Sequence, residues 1–543
     1  LSTKIDGINI KEFASDRTIV KTSIPASRGT IYDVNGDVLA QNVSSYTLIA
    51  YLDPKRSENQ KKLYHVEDKV TTAEKLSTVI DMKKEDILSI LNQEGLYQVE
   101  FGYAGKNLTE MEKEKIEALS LPGIDFIENE KRYYPNGDFA SYTIGYAKKN
   151  ENGIITGELG IEALLNSALK GVDGEITYQK DRDGYKIAGT KELRVDAKNG
   201  DDIYLTIDSN IELFVEQALR ENFSKYPSEW AVAVVADAKT GKILAASQKP
   251  SYDPNVLNIE NYLDITVSEP YEPGSIMKIY TYMAAMERGT YDGTKKFTSG
   301  KYVLEDGTVI NDWNPYGWGD ITYDQGFQAS SNIGVINIVN NFIDKNILKD
   351  YFKKAGFGEK TGITLANEQS GKIGFTYESE VYNAAFGQGI TTTPMQHIQA
   401  LTSLANGGKM LKPYIVSKIT DSSTNKTLYE GKREVINTIA SIETVNKLKD
   451  LMANVVNNRN GTGTGGAYRI EEIDLIAKTG TAQIFDYKQG KYLDEYIYSF
   501  SGMFPKDDPE VIIYTALKKP KDSATNYLAE PTKEVIKNIN NYL

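Results

Sequence analysis

Two side chains three residues apart, Ser275 and Lys278, begin a helix-forming run in Tyr271-Glu272-Pro273-Gly274-Ser275-Ile276-Met277-Lys278-Ile279-Tyr280. A Pro-Gly turn precedes them. Positions three apart share a helical face, so the spacing predicts the serine hydroxyl and the lysine amine within hydrogen-bond reach. A neutral lysine so placed can activate the serine as a nucleophile. The pattern alone is weak, because Ser-x-x-Lys recurs at Ser167 to Lys170 and at Ser423 to Lys426.

Two further groups follow in order. Ser330-Ser331-Asn332 immediately precedes the apolar run Ile333 to Val339 and is placed to face a cleft, although Ser57-x-Asn59 repeats the pattern in a polar stretch. Lys-Thr-Gly occurs at Lys239, Lys360 and Lys478; only the last follows the strand-like Asp474-Leu475-Ile476-Ala477 and continues as Thr481. A strand carrying Lys478, Thr479, Gly480 and Thr481 offers an ammonium, two hydroxyls and a backbone open to a close-approaching ligand. That suits a substrate ending in a carboxylate.

Composition removes several other chemistries. The 543 residues contain no cysteine, which excludes disulfides, thiolate metal sites and cysteine nucleophiles, and the only histidines are His65 and His397. Neither histidine accompanies a Gly-x-Ser-x-Gly elbow, so a Ser-His-Asp centre is not expected. A net charge of -13 speaks against nucleic-acid binding. The apolar and charged fractions, 40% and 25%, are those of a globular protein. No apolar run approaches the roughly 20 residues that span a bilayer.

The elements that must position these groups are legible in outline. Val34-Asn35-Gly36-Asp37 between apolar runs predicts a β-hairpin. Thr71-x-x-Glu74 and Thr109-x-x-Glu112 read as capping boxes of short surface helices. Lys131 to Gly137 reads as a structural loop with no catalytic role. Gly157 to Glu162 enters a helix that carries Ser167 and Lys170 as surface residues and stops at Gly171. Asp181 to Gly200, rich in charge and glycine, reads as a connection. Beyond it come a strand at Ile203 to Ile207, an amphipathic helix at Ser209 to Phe223, and a hairpin of Ala231 to Ala236 and Ile243 to Ala246 turning at Lys239-Thr240-Gly241. The helix bearing Ser275 is predicted to end at Gly289. This is the start of a mixed α/β arrangement with an antiparallel sheet.

The ordered set Ser275-x-x-Lys278, Ser330-x-Asn332 and Lys478-Thr479-Gly480 resembles the penicillin-binding proteins and serine β-lactamases. Glu272-Pro273-Gly274, Gly387-Gln388-Gly389-Ile390 with Pro394 and Gln396, and Ser499-Phe500-x-Gly502 are similar to the transpeptidase domain. Arg28-Gly29, Arg132-x-Tyr134-Pro135 and Gly157-x-x-Gly160-Ile161-Glu162 look like the non-catalytic pedestal of class B penicillin-binding proteins. The resemblance implies an α+β protein: an extended, dimerisation-like pedestal domain over 1–199 and a penicillin-binding transpeptidase domain over 200–543, its central antiparallel sheet flanked by helices.

By the same resemblance, Ser275 attacks the D-alanyl-D-alanine bond of a peptidoglycan stem peptide, and Lys278 takes its proton. Ser330 relays a proton to the leaving amine, Asn332 binds the substrate amide, and Lys478, Thr479 and Thr481 bind its carboxylate. The backbone amides of Ser275 and Thr481 form the oxyanion hole, β-lactams acylate the same serine, and no metal or organic cofactor is needed. The expected setting is the outer side of the cytoplasmic membrane, with an N-terminal anchor and a separate glycan polymerase as partner. The rival readings are a carboxypeptidase or β-lactamase, in which water resolves the acyl-enzyme, and a non-catalytic β-lactam sensor or scaffold. Glu368, Glu378 and Glu380, the carboxylates positioned to serve a β-lactamase, are expected on the surface.

Overall fold

In the computed structural model, which describes residues 4–5, 8–9, 19–151, 153–179, 192–457, 462–486, 488–521 and 527–543, the serine turn is built against one edge of a five-stranded antiparallel sheet. Across this sheet the strands run Ile243–Lys249, Trp230–Asp237, Val511–Lys518, Lys491–Phe504 and Ile476–Asp486. The second strand is apolar almost throughout, because both of its faces are covered. Ala231, Ala233 and Val235 pack with Ile211, Val215, Leu219, Val535 and Ile539, which lie on the helices Ser209–Lys225 and Ala529–Tyr542. Val232 and Val234 turn the other way, into the cluster that holds Ile276, Met277, Ile279, Ile398 and Leu401.

The local signals explain these elements. Asp208 caps the first helix by accepting from Asn210 N at 2.9 Å and Ile211 N at 3.3 Å, and Ile211, Val215, Ala218 and Leu219 form its buried stripe. The predicted hairpin is present with longer strands, and Gly241 turns it at φ +82°. The motif helix opens with a 3₁₀ turn, Gly274–Met277, and continues as the α-helix Lys278–Glu287. Its residues from Lys278 to Ala285 are all buried, so it is central rather than amphipathic. Gly289, at φ +73°, follows its end as predicted.

The N-terminal region is organised on the long strand Val38–Tyr51, which pairs with Ile124–Tyr133, Gln98–Glu100 and, through the predicted hairpin, Ile31–Tyr32. The helices Lys69–Leu76, Lys84–Leu91 and Glu110–Ala118 cover Leu48, Phe101 and their neighbours with Leu76, Ile87, Leu91 and Ile116. The same sheet continues into later sequence: Ile31–Tyr32 runs parallel to Asp202–Leu205, which pairs with Val416–Thr420 and that in turn with Thr427–Glu430. The strand predicted at Ile203 to Ile207 therefore belongs to this sheet and not to the one beneath the serine.

Four expectations need correction. Thr109 and Glu112 form the predicted capping box, but the helix at Thr71 starts earlier, capped by Asp68, whose carboxylate accepts from Thr71 N at 3.0 Å. The segment expected as one helix around Ser167 is two, Gly160–Leu164 and Asn166–Leu169, with Ser167 and Lys170 exposed as expected. Within the expected connection, residues 180–191 lie outside those described, and Leu193–Val195 is a strand. Lys131 to Tyr133, read as loop, closes the strand Ile124–Tyr133, and Arg132 is buried.

That arginine explains the correction. Arg132 Nε donates to Glu162 Oε1 at 2.6 Å, Arg28 Nε to Glu162 Oε2 at 2.7 Å, and Tyr134 OH to Oε1 at 3.2 Å. The strand end is held by a fully buried carboxylate shared between two guanidinium groups. Truncating Glu162 to alanine would leave both cations buried without their partner. The Glu162→Ala protein is expected to lose about 3–5 kcal/mol of unfolding free energy, read from the shift of its denaturant midpoint.

Candidate active site

Gly274 sets up the serine turn. It adopts φ +60°, and a Cβ there would lie 2.7 Å from Thr481 O, so the turn and the strand Ile476–Asp486 touch main chain to main chain. Gly387 approaches from the other side: Gly274 N donates to its carbonyl at 2.9 Å, and a Cβ on Gly387 would collide with Gly274 O. Gly480 is equally constrained, since a Cβ there would run into Ser499 Oγ and lie 2.9 Å from Pro273 O. The Gly-Gln-Gly and Lys-Thr-Gly glycines thus permit three backbone segments to meet at Ser275.

Ser330 follows the helix Tyr323–Gln328, which Thr322 and Gln325 open with a capping box. Its φ of +55° is left-handed, a strained state for a residue with a side chain. Ser331 then caps Asn332–Phe342 by accepting from Gly334 N at 2.9 Å.

The two lysines converge on Ser330. Lys278 Nζ donates to Ser330 O at 2.6 Å, Ser330 Oγ at 3.3 Å and Asn332 Oδ1 at 2.8 Å. Lys478 Nζ donates to the same Oγ at 2.8 Å and to Thr479 O at 3.0 Å. Both lysine side chains are completely buried. Burial pulls the Lys278 pKa down to about 7, against the upward influence of Asp312. Lys478 is held well below its ordinary value by burial and by the neighbouring Lys278. A lysine near 7 is a usable base at neutral pH.

The structure brings together Ser275, Ser330, Asn332, Thr479, Gly480 and Thr481 on one cleft of about 370 Å³, with Lys278 and Lys478 beneath. One expected contact is absent: among the described residues, Lys278 bonds Ser330 and Asn332 and not Ser275. A buried ammonium needs several acceptors, and three oxygens satisfy it better than one hydroxyl; nucleophile contacts are often looser before substrate binds. Ser423, in the other discarded pair, sits exposed in a turn beside Asp421. His397 is a core residue, bonded to Thr392 Oγ1 at 2.8 Å, its pKa lowered by burial to about 3.

Sequence reasoning missed Asp312, Trp313, Thr464, Tyr468 and Tyr498. All but Asp312 line the cleft, and Thr464 Oγ1 meets Thr479 Oγ1 at 3.0 Å. No local motif announces them. Glu368 is a correction in the other direction. It is buried, accepting from Thr361 N at 2.7 Å and Gly362 N at 3.0 Å, because it ties the turn of the second Lys-Thr-Gly copy. Glu378 and Glu380 are exposed as expected. Among the described residues lining the cleft, none is Asp or Glu.

Comparison with known families and structures decides the relationship. Residues 231–541, more than half of the chain, match the penicillin binding protein transpeptidase domain, and residues 23–205 match the penicillin-binding protein dimerisation domain. The chain is a class B penicillin-binding protein. Relatives of this penicillin-binding protein include the stage V sporulation protein D of Bacillus subtilis, 31% identical over 95% of this chain and 78% of its own. Another is the peptidoglycan D,D-transpeptidase FtsI of Buchnera aphidicola, 27% identical over 95% of this chain and 86% of its own. Among solved structures, penicillin binding protein 2X of Streptococcus thermophilus aligns with TM-score 0.81 and 30% identity, covering 96% of this chain and 80% of that one. The fold is accordingly the expected arrangement of a dimerisation domain followed by a mixed α and β transpeptidase domain.

Proposed function

We propose that this peptidoglycan D,D-transpeptidase works through Ser275 as its nucleophile, with Lys278 as the base. The observation that carries the assignment is the convergence of two buried lysines on Ser330, at the floor of the cleft that Ser275 borders. Lys278 accepts the Ser275 proton as Oγ attacks the carbonyl between the terminal D-alanines. Ser330, already bonded to both lysines, delivers a proton to the departing D-alanine amine. Asn332 orients the stem-peptide amide, and Lys478, Thr479 and Thr481 hold the carboxylate. The N–H groups of Ser275 and Thr481 stabilise the oxyanion, a pairing supported by the main-chain approach of Gly274 to Thr481. The amine of a second stem peptide then attacks the acyl-enzyme and completes the cross-link.

We divide the chain into a pedestal over 1–199 and a catalytic domain over 200–543, a division supported by the pairing of Asp202–Leu205 with Val416–Thr420. A location on the outer face of the cytoplasmic membrane, an N-terminal anchor and a partner glycan polymerase belong to the same proposal. They rest on kinship with cell-wall synthesis proteins. Among the described residues, no helix is long and apolar enough to cross a membrane.

The test is the intact mass of the protein followed over time with a penicillin. One adduct, localised to Ser275 and persisting for many minutes, is expected, because none of the described residues lining the cleft is a carboxylate that could activate water. Release within seconds would favour a hydrolase, and no adduct would leave only the non-catalytic scaffold reading.

A further inference from the structure

The segment just before the exposed Trp313 holds the Ser-x-Asn turn from beneath. Asp312 is buried, and its carboxylate accepts from Ser331 Oγ at 2.9 and 3.1 Å, from Ile333 N at 3.1 Å and from Gly300 N at 2.8 Å. On either side of it, Asn311 O receives Asn332 Nδ2 at 3.0 Å and Trp313 Nε1 reaches Ala329 O at 2.8 Å. Three consecutive residues thereby tie down positions 329 to 333. A left-handed serine persists only where its surroundings over-determine it, and these bonds do so for Ser330. All the donors to Asp312 are neutral; among the described residues no cation touches it. Its charge is therefore not spent on a contact ion pair and acts on the buried Lys278 across the turn.

We propose that Asp312 is a positioning residue that locks Ser330 and Asn332 where they meet the two lysines, and that it supplies the negative charge opposite the buried Lys278. The inference rests on the assignment of Lys278 as base. The charged groups facing Lys278 are Asp312 from the preceding loop and Lys478 from the strand; on its own helix Tyr282, fully buried, also feels Asp312. Geometry carries the first half of the proposal and charge the second, so the two separate experimentally. A neutral replacement removes both the charge and, since an amide offers one acceptor oxygen instead of two, some of the bonding. Loss of the charge makes the ammonium form of Lys278 harder to keep, so its neutral form extends to lower pH.

The test measures the second-order rate of penicillin acylation from pH 5 to 9 in the parent, Asp312→Asn and Ser331→Ala proteins, each checked to be folded at the assay temperature by a cooperative thermal transition above it. In the parent, the rate should rise through a midpoint near the Lys278 value. Asp312→Asn should lower the plateau about 10- to 100-fold, as expected for misplacement of catalytic groups, and move the midpoint downward by up to about one unit. Ser331→Ala removes the bond to Asp312 and the cap on Gly334 N but no charge, so it should lower the plateau by about 10-fold with the midpoint unmoved. A purely structural aspartate would scale the rate equally at every pH. An unmoved midpoint in Asp312→Asn, or a parental plateau in Ser331→Ala, overturns the proposal. A parent profile lacking the acid limb would instead overturn the base assignment, and the proposal with it.

Discussion

Replacing Ser275 by alanine is expected to abolish covalent labelling by penicillin while leaving the thermal transition within about 0.5 kcal/mol of the parent, measured by gel fluorescence of a labelled penicillin and by calorimetry. The separation of the two effects follows from the local geometry. Ser275 is only partly buried, and although its carbonyl accepts from Lys278 N, its hydroxyl bonds nothing among the described residues, so the fold loses no hydrogen bond when that hydroxyl goes. Gly274 and Gly387, not the serine, shape the turn. Labelling requires the missing oxygen, because the acyl bond forms to it and no cysteine exists to substitute. Undiminished labelling of Ser275→Ala would sink the nucleophile assignment.

Lys278→Ala is the second large effect. Acylation should fall by about 10² to 10⁴-fold, the usual contribution of a positioned base, and the pH dependence near 7 should disappear with it. The sign follows from the lowered pKa: in the parent, the neutral amine predominates above about 7 and is lost as pH falls, so the rate drops on the acid side. Stability should change far less than activity. The variant leaves Ser330 O and Asn332 Oδ1 without a donor, which costs roughly 1–3 kcal/mol, but it also removes one of two fully buried lysines, whose ammonium form is costly to desolvate. Stopped-flow acylation across the pH range checks both the size of the fall and its pH dependence. A rate near the parent's, or a persistent acid limb, would mean that another group serves as base.

What was legible in the sequence was order and chemistry. Ser275, Ser330 and Lys478 are far apart in the chain, yet their succession singled them out from several look-alike patterns, and the structure brings the two serines to one cleft with Lys478 beneath it. What was not legible depended on partners distant in sequence. Asp312 belongs to no recognisable pattern; its role is visible only where it meets Ser331 and Ile333. Arg132 beside tyrosines reads as a polar loop until Glu162 is found beneath it. Glu368 looks solvated until the backbone of Thr361 and Gly362 is seen to surround it. Local rules fared well where the partner is within a turn, as for Thr109 and Glu112. They failed where a competing neighbour decided, as when Asp68 took the cap from Thr71. The lysine contacts were the subtler miss: helical spacing placed Lys278 beside Ser275 but said nothing of the three oxygens that hold it.

The sheet that joins Ile31–Tyr32, Asp202–Leu205 and Val416–Thr420 bears on how the protein can be handled. Expression of a fragment starting at residue 231, where the transpeptidase match begins, would strip Val416–Thr420 of the Asp202–Leu205 main chain it pairs with. The exposed ladder would then be a template for other chains. A soluble catalytic fragment must therefore carry the strand at 202–205 with it, and even so it would offer that strand's far edge to solvent where Ile31–Tyr32 had been.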